Sequence, residues 1–174
     1  MKHLVQSAQA PLRAAYLQAP DSAMVTDHAL TCGLDPADPF HSIVEPMDGC
    51  GVRVPVGVHR ALGGPQDAPT PGDMLCAALA ACQDSSVRMV ANLLGIELLA
   101  LSVRVRASVD VRGAMALDKD VPVGFQSITC EIELRAKDGT PPEMLDRLHK
   151  AAERCCVVQQ TLRAPPPVRT TFRS

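Results

Sequence analysis

Residues 70–95 read TPGDMLCAALAACQDSSVRMVANLLG, one long helix with both its start and its stop spelled out. Thr70 suits the capping position, Pro71 the first helical position, and Asp73 stands at capping-box spacing in place of the preferred Glu. Inside, Ala, Leu and Met dominate, residues that lose little side-chain freedom in a helix. Gly95 supplies the stop, since a glycine enters the left-handed conformation of a helix end without strain. At about 1.5 Å per residue the helix spans roughly 35 Å, enough to cross a whole domain. Its first half is almost entirely apolar or small, which predicts burial on most sides and makes it the central helix.

Upstream, residues 59–72 (HRALGGPQDAPTPG) hold three Gly and three Pro and read as a loop. From Met24 to Val58, short β-friendly runs alternate with breakers, which predicts a meander of antiparallel strands, with Pro46 and Pro55 at edge or bulge positions. The first 23 residues form an extension with a short helix-compatible stretch, Ala8 to Leu17, closed by Ala19 and Pro20.

Downstream, LSVRVRASVDVRG alternates Val103, Val105, Ala107, Val109 and Val111 with Arg104, Arg106, Ser108, Asp110 and Arg112, a strand with one buried and one wet face. FQSITCEIELRA repeats the pattern, with Ile128, Cys130, Ile132 and Leu134 inward. Asp138-Gly139 turns the chain. Thr140-Pro141-Pro142-Glu143 then reads as a capping box opening a second helix, on which Met144, Leu145, Leu148, Ala151, Ala152, Cys155 and Cys156 recur at three- and four-residue steps. The tail, APPPVRTTFRS, breaks that helix and predicts a last short strand.

The chain has 174 residues, 47% apolar and 21% charged, which fits a single globular domain over 1–174. A net charge of -2, no Trp, one Tyr and three Phe leave neither the cations for phosphates nor the rings for bases, so nucleic-acid binding is not expected. The N-terminus has no apolar signal core and no stretch approaches a membrane span, so a cytoplasmic location without membrane attachment is expected. Seven cysteines, an odd number, predict reduced thiols rather than a disulfide framework. The five His are scattered and no Cys-x-x-Cys occurs, so no metal site is expected.

A thiol becomes a nucleophile when its thiolate is stabilised, and a second thiol in reach resolves the resulting sulfenic acid as a disulfide. Cys82 stands at the boundary between an Ala-rich stretch and the polar Gln83, Asp84, Ser85 and Ser86, as a partly accessible thiol would; a cysteine simply buried in an Ala-rich helix fits the same pattern. Cys155 and Cys156 point about 100° apart on a helix, so at least one can pack in the core.

Three stretches together resemble the OsmC/Ohr family (osmotically inducible protein C and organic hydroperoxide resistance protein): GGPQDAPTPGDMLCAALAAC, GFQSITCEIEL and CCVVQQTL, within residues 57 to 172. The resemblance implies an α+β fold with an antiparallel sheet, a long central helix and a second C-terminal helix, intertwined as a homodimer with its sites at the interface. It implies a cofactor-free thiol peroxidase that reduces organic hydroperoxides or hydrogen peroxide and is re-reduced by a dithiol. Cys82 would attack and Cys156 resolve, with Cys155 as the alternative resolving thiol.

Two features depart from the family pattern. Active relatives commonly carry Glu directly after the helix-opening Pro, paired with an Arg. Here that position is Gly72; Asp73, the only nearby substitute carboxylate, is expected to cap its helix instead, and Arg13, Arg53 and Arg60 stand in no matching motif. Val157 also follows the second cysteine where relatives often have Pro. These departures keep a second expectation open, a non-catalytic dimer that binds a small apolar or thiol-reactive ligand, or a redox sensor.

Overall fold

The computed structural model describes residues 4–33 and 35–173. They form two compact units, one from residues 4–10, 78–104 and 130–173, the other from 11–77 and 105–129.

In the second unit the expected meander is present as β1 (Ala29–Cys32), β2 (Ser42–Pro46) and β3 (Val54–Val56), antiparallel in that order, with Ile43 opposite both Cys32 and Pro55. Pro55 sits in an edge strand and Pro46 ends the middle one, where a missing N–H costs the ladder least. The following loop is fixed by Gly64, whose Cβ, had it one, would lie 2.3 Å from the Val58 carbonyl oxygen.

The central helix α2 runs Pro71–Leu94. Its capping box forms: the Asp73 carboxylate accepts from the amide and the hydroxyl of Thr70, each at 2.8 Å, and the Asp73 amide donates to the Thr70 hydroxyl at 3.2 Å. Gly95 takes φ +72 and the Ile96 amide reaches back to the Ala91 carbonyl at 2.8 Å, closing the helix end. Burial differs from expectation. Leu79, Gln83, Ser86, Val87, Val90 and Ala91 form one buried stripe, whereas Ala77, Ala78 and Ala81 are exposed. One chain supplies elements enough to cover only one side of the helix.

The first unit holds the core: Val87, Val90, Ala91, Ile96, Leu148 and Ala152, with Leu98, Leu101, Leu134 and Met144 packed against it. Two antiparallel strands, β4 (Leu98–Ser108) and β5 (Ser127–Ala136), are tied at their ends by Gln126 N–H to Ser108 O and Lys137 N–H to Glu97 O, each 2.9 Å. The strand read through Val111 stops at Ser108. The Asp110 carboxylate accepts from the Arg112 amide at 3.0 Å and caps a single helical turn, α3 (Val111–Ala114), so Val109 and Val111 leave the alternation. On β5, Cys130 and Leu134 are half-buried but Ile128 and Ile132 remain 37% and 38% exposed, because a two-stranded ribbon lacks the width to cover its inner face.

Helix α4 (Pro142–Cys155) starts on Pro141 rather than on a Thr140 capping box. The Thr140 hydroxyl instead donates to Lys137 O at 2.6 Å, closing the turn around Gly139. The tail holds no strand among its described residues. Cys156 takes an extended ψ of 102°, and the chain then re-enters a helix, α5 (Val157–Arg163), whose first bond is Gln160 N–H to Cys156 O at 2.9 Å. Val157 permits this restart, and Pro165 to Pro167 follow its end. At the N-terminus, α1 (Leu4–Gln18) begins four residues before the expected Ala8, because Asn92 Oδ1 accepts from the Val5 amide at 3.0 Å and caps its first turn. No described helix is long and apolar enough to cross a membrane.

Candidate active site

Cys82 lies half-buried midway along α2, and Cys156 occupies the break between α4 and α5 with 0% exposure. The Cys82 thiol is a near neighbour of the Cys156 thiol and helps to raise its pKa. Both belong to the first unit. Burial pushes the Cys156 thiol up to about 11; the neighbouring Cys82 and, more weakly, Cys130 push the same way, while the Gln159 amide facing the sulfur opposes them. Burial likewise raises Cys130 on β5. Cys156 therefore keeps its proton at neutral pH. Cys155, the last residue of α4, is exposed.

Gln83, next to Cys82, is 2% exposed and donates its amide nitrogen to Gln159 Oε1. Gln159 Nε2 donates to Glu153 Oε1 at 3.1 Å, and Arg163 donates to the same oxygen. None of these four was singled out from the sequence as a site residue. The only signal was the polar run after Cys82; Glu153 and Arg163 stand on two helices whose separation the sequence does not announce.

At the helix start, Asp73 is occupied by Thr70, whose amide and hydroxyl hold its carboxyl below the usual carboxylate range. A Cβ built on Gly72 would meet Phe125 Cζ at 3.0 Å, so an aromatic ring lies over the position where active relatives carry Glu. Arg13, Arg53 and Arg60 belong to the second unit, apart from that of the paired cysteines.

The raised Cys156 pKa has a measurable consequence. An unfolded cysteine releases its proton near about 8.5, whereas the folded thiol holds it to about 11. Between those values the folded state binds more protons, so the stability from this group is complete below the lower value and is lost as pH rises through the higher. Urea unfolding in reducing buffer should show stability falling from pH 8.5 to 11, by at most about 1.4 kcal/mol per pH unit from this thiol. Cys156→Ala should flatten that slope; an unchanged slope would remove the assignment.

The chain is an α+β protein with a long central helix and two shorter helices, α4 and α5, towards its C-terminus. The chain belongs to the OsmC-like protein family, whose sequence profile matches residues 64–171. It is similar in fold to the OsmC-like protein from Mycoplasma pneumoniae, at 13% identity and a TM-score of 0.64, over 81% of this chain and 89% of that one. An organic hydroperoxide resistance protein OsmC from Legionella pneumophila is similar at 24% identity and a TM-score of 0.55, over 82% and 92% of the two chains. OhrB, the organic hydroperoxide resistance protein of Bacillus subtilis, gives 20% and 0.52 over 82% and 94%. No curated protein matches the chain.

Proposed function

We propose that this protein is a thiol-dependent peroxidase acting on organic hydroperoxides or hydrogen peroxide. The observation that carries the reading is that the fully buried Cys156 and the half-buried Cys82 are near neighbours within one compact unit. The names of the Legionella and Bacillus relatives point to the same substrate class. The Cys82 thiolate attacks one peroxide oxygen, the O–O bond breaks, and the alcohol leaves after taking up a proton. The sulfenic acid on Cys82 is then attacked by the Cys156 sulfur, which releases water and forms the disulfide. A dithiol reductant restores both thiols by two exchanges and leaves as its own disulfide. The resting thiols suit a reducing compartment such as the cytoplasm.

Thiol counting with peptide mapping, before and after one equivalent of an organic hydroperoxide, tests this directly. Two thiols should disappear, linked as Cys82–Cys156, and a dithiol should return them. Survival of all the thiols would end the proposal.

The exposed Ala77, Ala78 and Ala81 face of α2 is the surface we assign to a second copy of the chain, since small side chains let helices approach closely. Sedimentation should give a dimer at micromolar concentration, and a stable folded monomer there would overturn this. A second reading, a ligand-binding relative or a redox sensor without turnover, is favoured by the Phe125 ring over Gly72. Disulfide formation in a single turnover, with no sustained peroxide consumption in excess dithiol, would select the sensor.

A further inference from the structure

The thiol pair is bracketed by a chain of side-chain hydrogen bonds that the peroxidase chemistry does not itself require. Glu153, on the last turns of α4, has only acceptors to offer, so the groups facing its carboxylate must donate. Gln159 Nε2 does so at 3.1 Å and Arg163 does so from further along α5. The Glu153 carbonyl also accepts from Gln160 Nε2 at 3.0 Å. One residue thus straps α5 to α4 across the break that holds Cys156.

Committing its nitrogen to Glu153 turns the Gln159 oxygen toward Gln83, and Gln83 answers with its own amide nitrogen. The Gln83 oxygen is then left buried with no hydrogen-bond partner among the described residues. Burying a carboxamide in this half-satisfied way is costly, and an apolar residue of similar length would avoid the cost. The contact it achieves joins the residue after Cys82 to Gln159, three residues beyond Cys156.

We infer that Gln83 and Gln159 are positioning residues, an amide clamp oriented by Glu153 and Arg163 that sets the approach of Cys82 to Cys156 and so favours their disulfide. The inference rests on reading these two cysteines as a redox pair. It predicts that the disulfide is harder to reduce with the clamp than without it, because a disulfide forms only within a narrow range of separations.

Equilibration of the full chain in glutathione buffers measures this without any peroxide. Oxidised glutathione takes two electrons from the pair and leaves as two thiols, and peptide mapping gives the fraction of Cys82–Cys156 linkage. Gln83→Met and Gln159→Met should each lower the equilibrium constant for the linkage by about tenfold, equivalent to about 30 mV. The double variant should be no worse than either single one, since both remove the same bond. Urea midpoints of the reduced variants should stay near that of the unsubstituted chain or rise, which separates positioning from a loss of fold. Glu153→Gln, at an exposed position, lets the Gln159 amide turn over and should lower the constant about threefold with the core untouched. Constants within twofold of the unsubstituted chain, or fully additive losses, would overturn the clamp alone. A pair that stays reduced in the most oxidising buffer overturns the clamp and the peroxidase reading together.

Discussion

Cys82→Ser is expected to lower hydroperoxide turnover by at least about a thousandfold, since a serine hydroxyl at neutral pH holds its proton and is a far poorer nucleophile than a thiolate. Mapping of that variant should find no peroxide-dependent disulfide at Cys156. Cys156→Ser should behave differently. Its Cys82 should still consume one equivalent of hydroperoxide in a burst, but the sulfenic acid then lacks its buried partner and should advance to the sulfinic acid under excess peroxide. Mass spectrometry separates the two variants. Cys155, exposed at the end of α4, is the alternative resolving thiol, and mapping of Cys156→Ser should show whether it links to Cys82. Full turnover by Cys82→Ser would refute the proposed function outright, and full turnover by Cys156→Ser would move the resolving role elsewhere.

The largest effect on stability is expected at Leu148. This side chain has 0% exposure and is enclosed by Val87, Val90, Ala91, Ile96 and Ala152. Leu148→Ala should cost about 3–5 kcal/mol, the transfer of the lost carbons plus the cavity they leave, because α2 and α4 are held by other contacts and cannot close the gap. Against a total of about 5–15 kcal/mol for a typical domain this is a large fraction. Urea unfolding under reducing conditions measures it, and a loss below about 1 kcal/mol would mean that this core is not the one that holds α4. Since α4 carries the chain to Cys156, the same variant should also form less Cys82–Cys156 disulfide at a given redox poise.

How much of this was legible depended on how local the cause was. The start and stop of α2 are written in adjacent residues, Thr70 to Asp73 and Gly95, and the structure agrees with both. Thr140 offered a similar box, but its hydroxyl found the Lys137 carbonyl within its own turn, a competitor that the spacing rule does not weigh. The alternation through Val111 was read as strand because period two was counted and the Asp110 side-chain cap was not. The sequence reads as one helix up to the tail at Ala164, and nothing local marks the break at Cys156 that separates α4 from α5.

The site divides in the same way. Cys82 and Cys156 stand in positions that the family resemblance picks out, and both fall within the first unit. The Gln83–Gln159 bond spans 76 residues and joins polar side chains that carry no periodic mark, so nothing local could reveal it. The Phe125 ring over Gly72 is another contact between distant stretches of chain.

That ring also has a consequence for descent. A GGA or GGG glycine codon lies one base from a glutamate codon, so from such a codon the carboxylate of the active relatives is a single change away. With Phe125 in place the newcomer arrives against an aromatic edge 3.0 Å from where its Cβ must sit. The far end of the ring must give by a few tenths of an ångström before the acid fits, so a change at position 72 is felt at position 125.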